Sequence, residues 1–197
     1  MYILALEESS WSEAEWQLGA HPHYDGVTFA VYAPAATRIQ LEIYDRALGA
    51  DPIATYLPAK GKDGIWRARL QGLQLGTMYA YRAWGANWTY DEDWEPGSEL
   101  GFVADLDEKG NRFNPNKALF DPYARELSHT VYSDELFDYE VDDGVFGTGG
   151  DDYHGRPRRL TDTGPYVPKG IIVAEPRPRK PRLGLPPENT SIYEVQT

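Results

Sequence analysis

Apolar and polar residues alternate strictly in several stretches between residues 27 and 84. The apolar positions are Val27, Phe29 and Val31, then Ile39, Leu41 and Ile43, then Trp66, Ala68 and Leu70. Period 2 is typical of a β-strand with one buried and one solvent-facing side. A weaker strand is predicted in "IATYLPA" and a fifth, rich in aromatic residues, in "GTMYAYRAWG". Turn-forming stretches separate these strands at the spacing of a sandwich, so the pattern predicts an all-β fold.

Helical periodicity is weak throughout the chain. A short helix is predicted over 12–17, because Ser12 and Glu15 have the spacing of a capping box. A turn is predicted near 121–127. The long remainder toward the C-terminus is predicted to be mostly irregular.

The composition narrows the class of protein. The chain has 197 residues, a formal net charge of −12 and no cysteine. The missing thiols exclude a disulfide framework, a thiolate zinc site and a cysteine nucleophile, and the acidic balance argues against nucleic acid as a partner. The apolar run in "MYILALEESS" is too short for a signal peptide, and no stretch is long enough to span a membrane. We therefore expect a cytoplasmic protein.

Charge is segregated in the C-terminal third. Eight acids and no Lys or Arg occur in 134–152, and eight bases occur in 156–182. Such blocks are often solvated and mobile, but opposite blocks this close can also pair, and both interpretations stay open. The Pro-rich stretch "EPRPRKPRLGLPPENT" is typical of a semi-rigid connector.

No catalytic or metal-binding motif emerges from the residues. "DLDEKGN" (105–111) resembles a calcium loop, but Lys109 stands at the third ligand position, so an Asp/Gly turn is the favoured interpretation. His21 and His23 flank a proline in a predicted loop without companion ligands. The many acids lie in turns and in a solvated block, where no rigid pair of carboxylates is expected. We predict no catalytic residue, no metal site and no cofactor.

The most informative cluster is aromatic. Four rings crowd the end of the fifth strand and the loop after it: Trp84, Trp88, Tyr90 and Trp94. Flat rings can stack on the CH face of a sugar, with polar side chains nearby for its hydroxyls. The alternative is that the rings pack this loop against the sheet or against a neighbouring domain. If sugar binds, we predict contacts with the three indoles, and with Tyr90 as the weaker candidate.

Several stretches resemble one known family. "YRAWGANW", "GFVADLDEKGNRFNPNKALFDPYARELS" and "LTDTGPYVPKGIIV" closely resemble the N-terminal region of bacterial isoamylase-type glycogen debranching enzymes of the α-amylase superfamily. The resemblance extends over about residues 18–195. It implies an immunoglobulin-like antiparallel β-sandwich of the family-48 carbohydrate-binding type, with a long C-terminal extension.

The resemblance also implies a domain plan. A leader would occupy 1–17, the β-sandwich module 18–125, and an irregular segment with the Pro-rich connector 126–190. Residues 191–197 would begin the first strand of a catalytic (β/α)₈ barrel, which in the family reads "IYEVHVRGFT". The family's catalytic acids lie on later strands, and an Asp that some members use for calcium aligns with Thr130 here. We therefore expect a truncated, non-catalytic piece of the enzyme.

The expected function follows from this plan. The module would bind or orient α-glucan (glycogen, starch or a maltooligosaccharide) and support the barrel of an enzyme that hydrolyses α-1,6 branch linkages. "NPN" (114–116) suits a rigid ledge under the barrel. Apolar groups that the barrel would partly cover, and that its absence would expose, are Leu119, Phe120, Tyr123, Ile171 and Ile172. The alternative is a purely structural sandwich that docks a glucan-active partner without binding sugar.

Overall fold

The computed structural model describes residues 3–175, and most of the regular structure in them is antiparallel β-sheet. The strands are β1 (Leu4–Ala5), β2 (Gly19–His23), β3 (Gly26–Tyr32), β4 (Arg38–Tyr44), β5 (Ala54–Tyr56), β6 (Ala59–Lys60), β7 (Ile65–Gln71), β8 (Met78–Trp84), β9 (Asp152–Tyr153), β10 (Arg156–Pro157) and β11 (Gly170–Ile171). The first sheet has the order β1-β7-β3-β2, with β6 also paired to β7, and the second has the order β11-β8-β4-β5. Strands β9 and β10 form a separate hairpin. The predicted all-β sandwich is confirmed.

The alternating apolar residues form the core between the two sheets. The inner faces contribute Val27, Phe29 and Val31 from β3, Ile39, Leu41 and Ile43 from β4, Trp66, Ala68 and Leu70 from β7, and Tyr79, Tyr81 and Ala83 from β8. Phe29 of the first sheet meets Tyr79 of the second edge-to-face, with ring centroids 5.1 Å apart. This interdigitation of two inner faces is what period 2 on both sheets predicts.

The outer face of the second sheet departs from the sequence expectation. Period 2 predicts a wet face there, yet five of its residues are buried: Glu42, Tyr44, Ala80, Arg82 and Trp84. Residues between 94 and 169 lie over this face and bind it through side chains and carbonyls. The alternation distinguishes two kinds of face, but it does not reveal whether the polar one meets water or another polar layer.

Two further local predictions are corrected. "HPH" lies on strand β2 rather than in a loop, and Pro22 is tolerated because β2 is an edge strand, paired only with β3 among the described strands. The predicted helix over 12–17 is instead a 3₁₀ helix, Glu8–Glu13, which begins without a side-chain cap and buries Trp11. Ser12 lies inside this helix and not at its start.

The remaining helices within residues 3–175 are short 3₁₀ turns: Asp134–Tyr139, Asp143–Phe146 and Arg158–Leu160. In this part of the chain no helix has the length and apolar character needed to cross a bilayer. The predicted turn near 121–127 is confirmed, since the Ala124 N–H donates to the Asp121 carbonyl at 3.0 Å.

Within residues 3–175, the described part of the basic block pairs with the acidic block at one arginine and with a sandwich loop at the next. Arg158 binds Asp151 at 2.8 Å, which links the two blocks. Arg159 binds Asp105 at 3.1 Å instead, outside the acidic block. These two arginines therefore join one part of the C-terminal extension to another and to a loop of the sandwich.

Two short strands extend the sandwich beyond its predicted limits. β1 lies in the predicted leader 1–17 and pairs with β7, while β11 lies in the predicted segment 126–190 and pairs with β8. The end of the predicted connector (176–190) and the predicted barrel-strand remnant (191–197) lie outside the described residues.

Candidate functional site

Two of the four predicted rings are completely buried. Trp84 ends β8, is 0% exposed, and meets the ring of Trp94 edge-to-face at 5.1 Å. Trp88 is 1% exposed, its Nε1 donates to the Leu100 carbonyl at 2.8 Å, and its ring packs on Phe102 at 5.0 Å. Neither indole offers a face to solvent, so neither can stack on a sugar in this conformation. They fasten the loop after β8 to the sheet, as the packing alternative describes.

Trp94 is half-buried over the outer face of the second sheet. The Arg82 guanidinium lies 5.7 Å from its ring centroid, and the Trp84 ring meets it edge-to-face. The Trp94 ring thus packs the loop after β8 against Arg82 and Trp84 of the outer face, and only part of the ring reaches solvent.

Tyr90 is the predicted ring that remains open to solvent, with 42% of the residue exposed. Arg38, at the start of β4, lies directly opposite Trp84 in the ladder between β4 and β8. This register carries the Arg38 guanidinium to the Tyr90 ring, with its central carbon 3.6 Å from the ring centroid. Such a contact is a close cation–π stack, which holds both side chains in place.

A groove of about 440 Å³ lies beside this stack. Most of its lining comes from three parts of the chain: the start of β4, the connection between β5 and β6, and the loop after β8. Its lining residues are Thr37, Arg38, Ile39, Leu57, Pro58, Trp66, Thr89 and Tyr90. The lining therefore combines apolar side chains and threonine hydroxyls with one exposed ring and one guanidinium.

A buried layer of charge underlies the rest of the outer face. Arg82 Nε donates to Glu42 at 2.6 Å, and Arg82 Nη1 donates to Asp162 at 2.7 Å and to the Pro115 carbonyl at 2.8 Å. The Tyr44 hydroxyl donates to the other Glu42 oxygen at 2.6 Å. Burial alone would lower the pKa of Arg82, but the two carboxylates outweigh it and raise that pKa.

Two buried lysines complete this layer. Lys117 and Lys169 donate their ammonium hydrogens to backbone carbonyls, and Lys169 also lies 4.4 Å from the Tyr44 ring centroid. The accepting carbonyls are those of Val145 and Thr161 for Lys117, and those of Ala47 and Val167 for Lys169. Burial lowers the pKa of each lysine to about 8.

Comparison with known proteins identifies the module. A family model described as carbohydrate-binding module 48 (isoamylase N-terminal domain) matches residues 17–124, which is more than half of the chain. The chain belongs to this family. The family resemblance expected from the sequence is thereby confirmed.

Relatives of this module-48 chain are much longer than it is. The isoamylase of Pseudomonas amyloderamosa is 38% identical over 180 residues, which cover 86% of this chain and 22% of that protein. The glycogen debranching enzyme of Erwinia tasmaniensis is 30% identical over 158 residues, covering 80% and 18% of the two chains. The catalytic module of the glycogen-degrading pneumococcal virulence factor SpuA aligns with a TM-score of 0.43 and 17% identity, over 84% of this chain and 18% of that one. The chain spans about a fifth of the length of the curated relatives it matches.

The apolar residues expected to face a barrel divide into two groups. Leu119, Phe120 and Tyr123 are exposed, as predicted. Ile172 is instead 0% exposed and belongs to the sandwich core, because β11 brings it against the inner face, and Ile171 is partly buried.

The "NPN" segment is held rigidly, as its residue types predict. Asn116 Nδ2 donates to the Ser98 carbonyl at 2.9 Å, and its Oδ1 accepts from the Gly97 N–H at 2.7 Å. Asn114 Oδ1 accepts from the Asn116 N–H, which closes the turn.

The residues considered for metal binding have other partners. Asp107 accepts hydrogen bonds from the N–H groups of Lys109 and Asn111, which is the hydrogen bonding of a turn. His21 contacts Glu175, and His23 contacts Thr28. Within residues 3–175 no three acidic or histidine side chains come together as a metal site requires.

Proposed function

We propose that this chain is the glucan-holding N-terminal module of an isoamylase-type debranching enzyme. The observation that carries the proposal is the family match over residues 17–124, and the named relatives, an isoamylase and a glycogen debranching enzyme, agree with it. The whole enzyme would hydrolyse α-1,6-glucosidic branch linkages. This module would orient glycogen, starch or a maltooligosaccharide beside the catalytic barrel and would not itself catalyse.

Sugar binding is tested on the chain itself. We expect titration with maltoheptaose to shift a localised set of amide resonances, and glycogen in a native gel to retard the protein. Cellohexaose, with β-linkages, is the matched control and should do neither. If millimolar maltoheptaose leaves the NMR spectrum unchanged, the module does not hold glucan.

Catalysis is tested by comparing two proteins. The chain alone is expected to release no linear chains from glycogen, whereas the product of the uninterrupted reading frame that contains it should do so. Release by the isolated chain would contradict the proposal, as would a longer product that leaves branches intact. A cytoplasmic location stays a prediction, which cell fractionation would test.

A second candidate function is structural docking without sugar. It is favoured by the exposed strip Leu119, Phe120 and Tyr123, together with the burial of Trp84 and Trp88. In that case the isolated chain should self-associate through the strip, and Phe120→Ser should lower the association constant seen in sedimentation velocity. Leu75→Ser, at an exposed leucine outside the strip, is the control and should have no effect. Sugar-insensitive tryptophan fluorescence together with self-association would favour this candidate.

A further inference from the structure

The surface that meets glucan can be located within the module. We propose that the groove beside Tyr90 is the glucan-binding site, with Tyr90 as the stacking face and Arg38 as the hydroxyl-binding group. This inference rests on the proposed function, which supplies the class of ligand. The geometry of the groove identifies Tyr90 and Arg38 as the residues that would contact the sugar.

The second face of the Tyr90 ring is left open by its neighbours. The Arg38 carbon lies 3.6 Å from the Tyr90 centroid and 6.0 Å from that of Trp84, and the two ring centroids are 5.5 Å apart. In this triangle the angle at Tyr90 is close to a right angle. Trp84 therefore lies against the edge of the Tyr90 ring and not over its second face. Arg38 covers one face, so a stacked sugar would take the opposite one, which neither Arg38 nor Trp84 covers.

Arg38 carries hydrogen-bond donors that find no acceptor among the described residues. Within residues 3–175 its side chain has no hydrogen-bond acceptor or carboxylate partner, and its Nε is buried without one. A guanidinium carries five N–H donors in a fixed plane, and a buried donor without an acceptor is costly. Sugar hydroxyls are acceptors that enter a groove without adding charge. A pyranose on the second face of Tyr90 would have the ring between itself and the guanidinium. The hydroxyls that reach these donors would therefore belong to a neighbouring glucose unit of the same glucan, past the edge of the ring.

The rest of the groove is already held in shape. Lys60 Nζ donates to the carbonyls of Pro34 and Ala36 at 2.9 and 2.6 Å, and Trp66 Nε1 donates to the Ala33 carbonyl at 3.0 Å. These bonds fix the turn that leads into Thr37. A site of 440 Å³ falls within the usual range for small ligands, and a preformed wall lowers the entropy cost of binding.

The site is tested with Tyr90→Ala, Tyr90→Phe and a matched control, Tyr24→Ala. Tyr24 is a fully exposed tyrosine in the turn between β2 and β3, at the opposite end of the sandwich. We expect Tyr90→Ala to weaken maltoheptaose binding by about tenfold or more, while the other two stay within about twofold of the parent. Near-ultraviolet circular dichroism and thermal unfolding verify that each variant is folded.

A second test is an NMR titration of the parent chain, which needs no variant. Maltoheptaose should shift the amides of Thr37 and Thr89 and the indole N–H of Trp66. It should leave the indole N–H of Trp88 unchanged, because Trp88 is not among the residues that line the groove. If the parent binds sugar but Tyr90→Ala binds equally well and these amides are silent, the site lies elsewhere and the proposed function stands. If the parent does not bind at all, both fail together.

Discussion

The buried charge layer permits a quantitative prediction for Glu42→Gln. Glu42 is 1% exposed and receives hydrogen bonds from Arg82 Nε and from the Tyr44 hydroxyl, both at 2.6 Å. The substitution keeps the shape of the side chain and removes its negative charge. It also places an amide donor where one carboxylate oxygen now accepts.

The expected loss of stability follows from burial. Removing one partner of a buried ion pair leaves an uncompensated charge and typically costs about 3–5 kcal/mol. Here Arg82 keeps Asp162, whose side chain is partly exposed, so the lower half of that range is expected. Domains are stable by about 5–15 kcal/mol, so this loss is a large fraction of the total.

The assay is equilibrium unfolding in urea, with Asp25→Asn as the matched control. Asp25 also binds one arginine, Arg69, but both side chains are partly exposed, so the same acid-to-amide change should cost far less than Glu42→Gln. If Glu42→Gln costs no more than Asp25→Asn, the layer is solvated, and the argument that it is a dry interface fails. An Arg82→Gln variant combined with Glu42→Gln measures the coupling of the pair, which should be well above zero.

Two further predictions concern the rings and the lysines. Trp88→Ala removes a fully buried ring, so it should lower the unfolding free energy by about 3–5 kcal/mol; a loss of sugar affinity at unchanged stability would instead favour a stacking role. The folded-state pKa of Lys169 is about 8, below its ordinary value of 10.5, so between these values the unfolded chain binds more protons and stability rises with pH. The unfolding free energy of the parent relative to Lys169→Met should therefore increase from pH 8 to pH 10, and a difference that falls over this range would contradict the burial of the ammonium.

The sequence predicted the four long strands, and its weaker prediction in "IATYLPA" overlaps β5 and β6, but it missed β1, β2 and β11. β3, β4, β7 and β8 each place apolar side chains on one face for seven residues, so their period is visible without a partner. β1 and β11 have two residues each, and only their pairing with β7 and β8 defines them. β2 was hidden by Pro22, since proline argues against a strand unless its edge position is known.

The site was predicted less well, because ring type does not reveal ring burial. The four aromatic residues occur within eleven positions, yet Trp84 is buried on the outer face against Trp94, and Tyr90 stays exposed at the rim. Arg38 was missed because its contact with Tyr90 joins the start of one strand to a loop some fifty residues later. A usable signal was present: Arg38 begins an alternating strand on its polar side, where a charge needs a partner or water.

The polar outer face of the second sheet has a physical reason that its alternation alone did not disclose. The segment over this face is mostly irregular, so its buried carbonyls cannot be satisfied by a regular ladder and need side-chain donors. Arg82, Lys117 and Lys169 supply donors to carbonyls at Pro115, Val145, Thr161, Ala47 and Val167. Arg82 is the donor that lies on the sheet itself, so an apolar face would leave the Pro115 carbonyl without this partner at a cost of about 1–3 kcal/mol, whereas the two lysines belong to the overlying segment. A strand with a charged outer face can therefore mean a sheet built to carry an irregular third layer, and in this module that layer leaves the Tyr90 groove at its margin open.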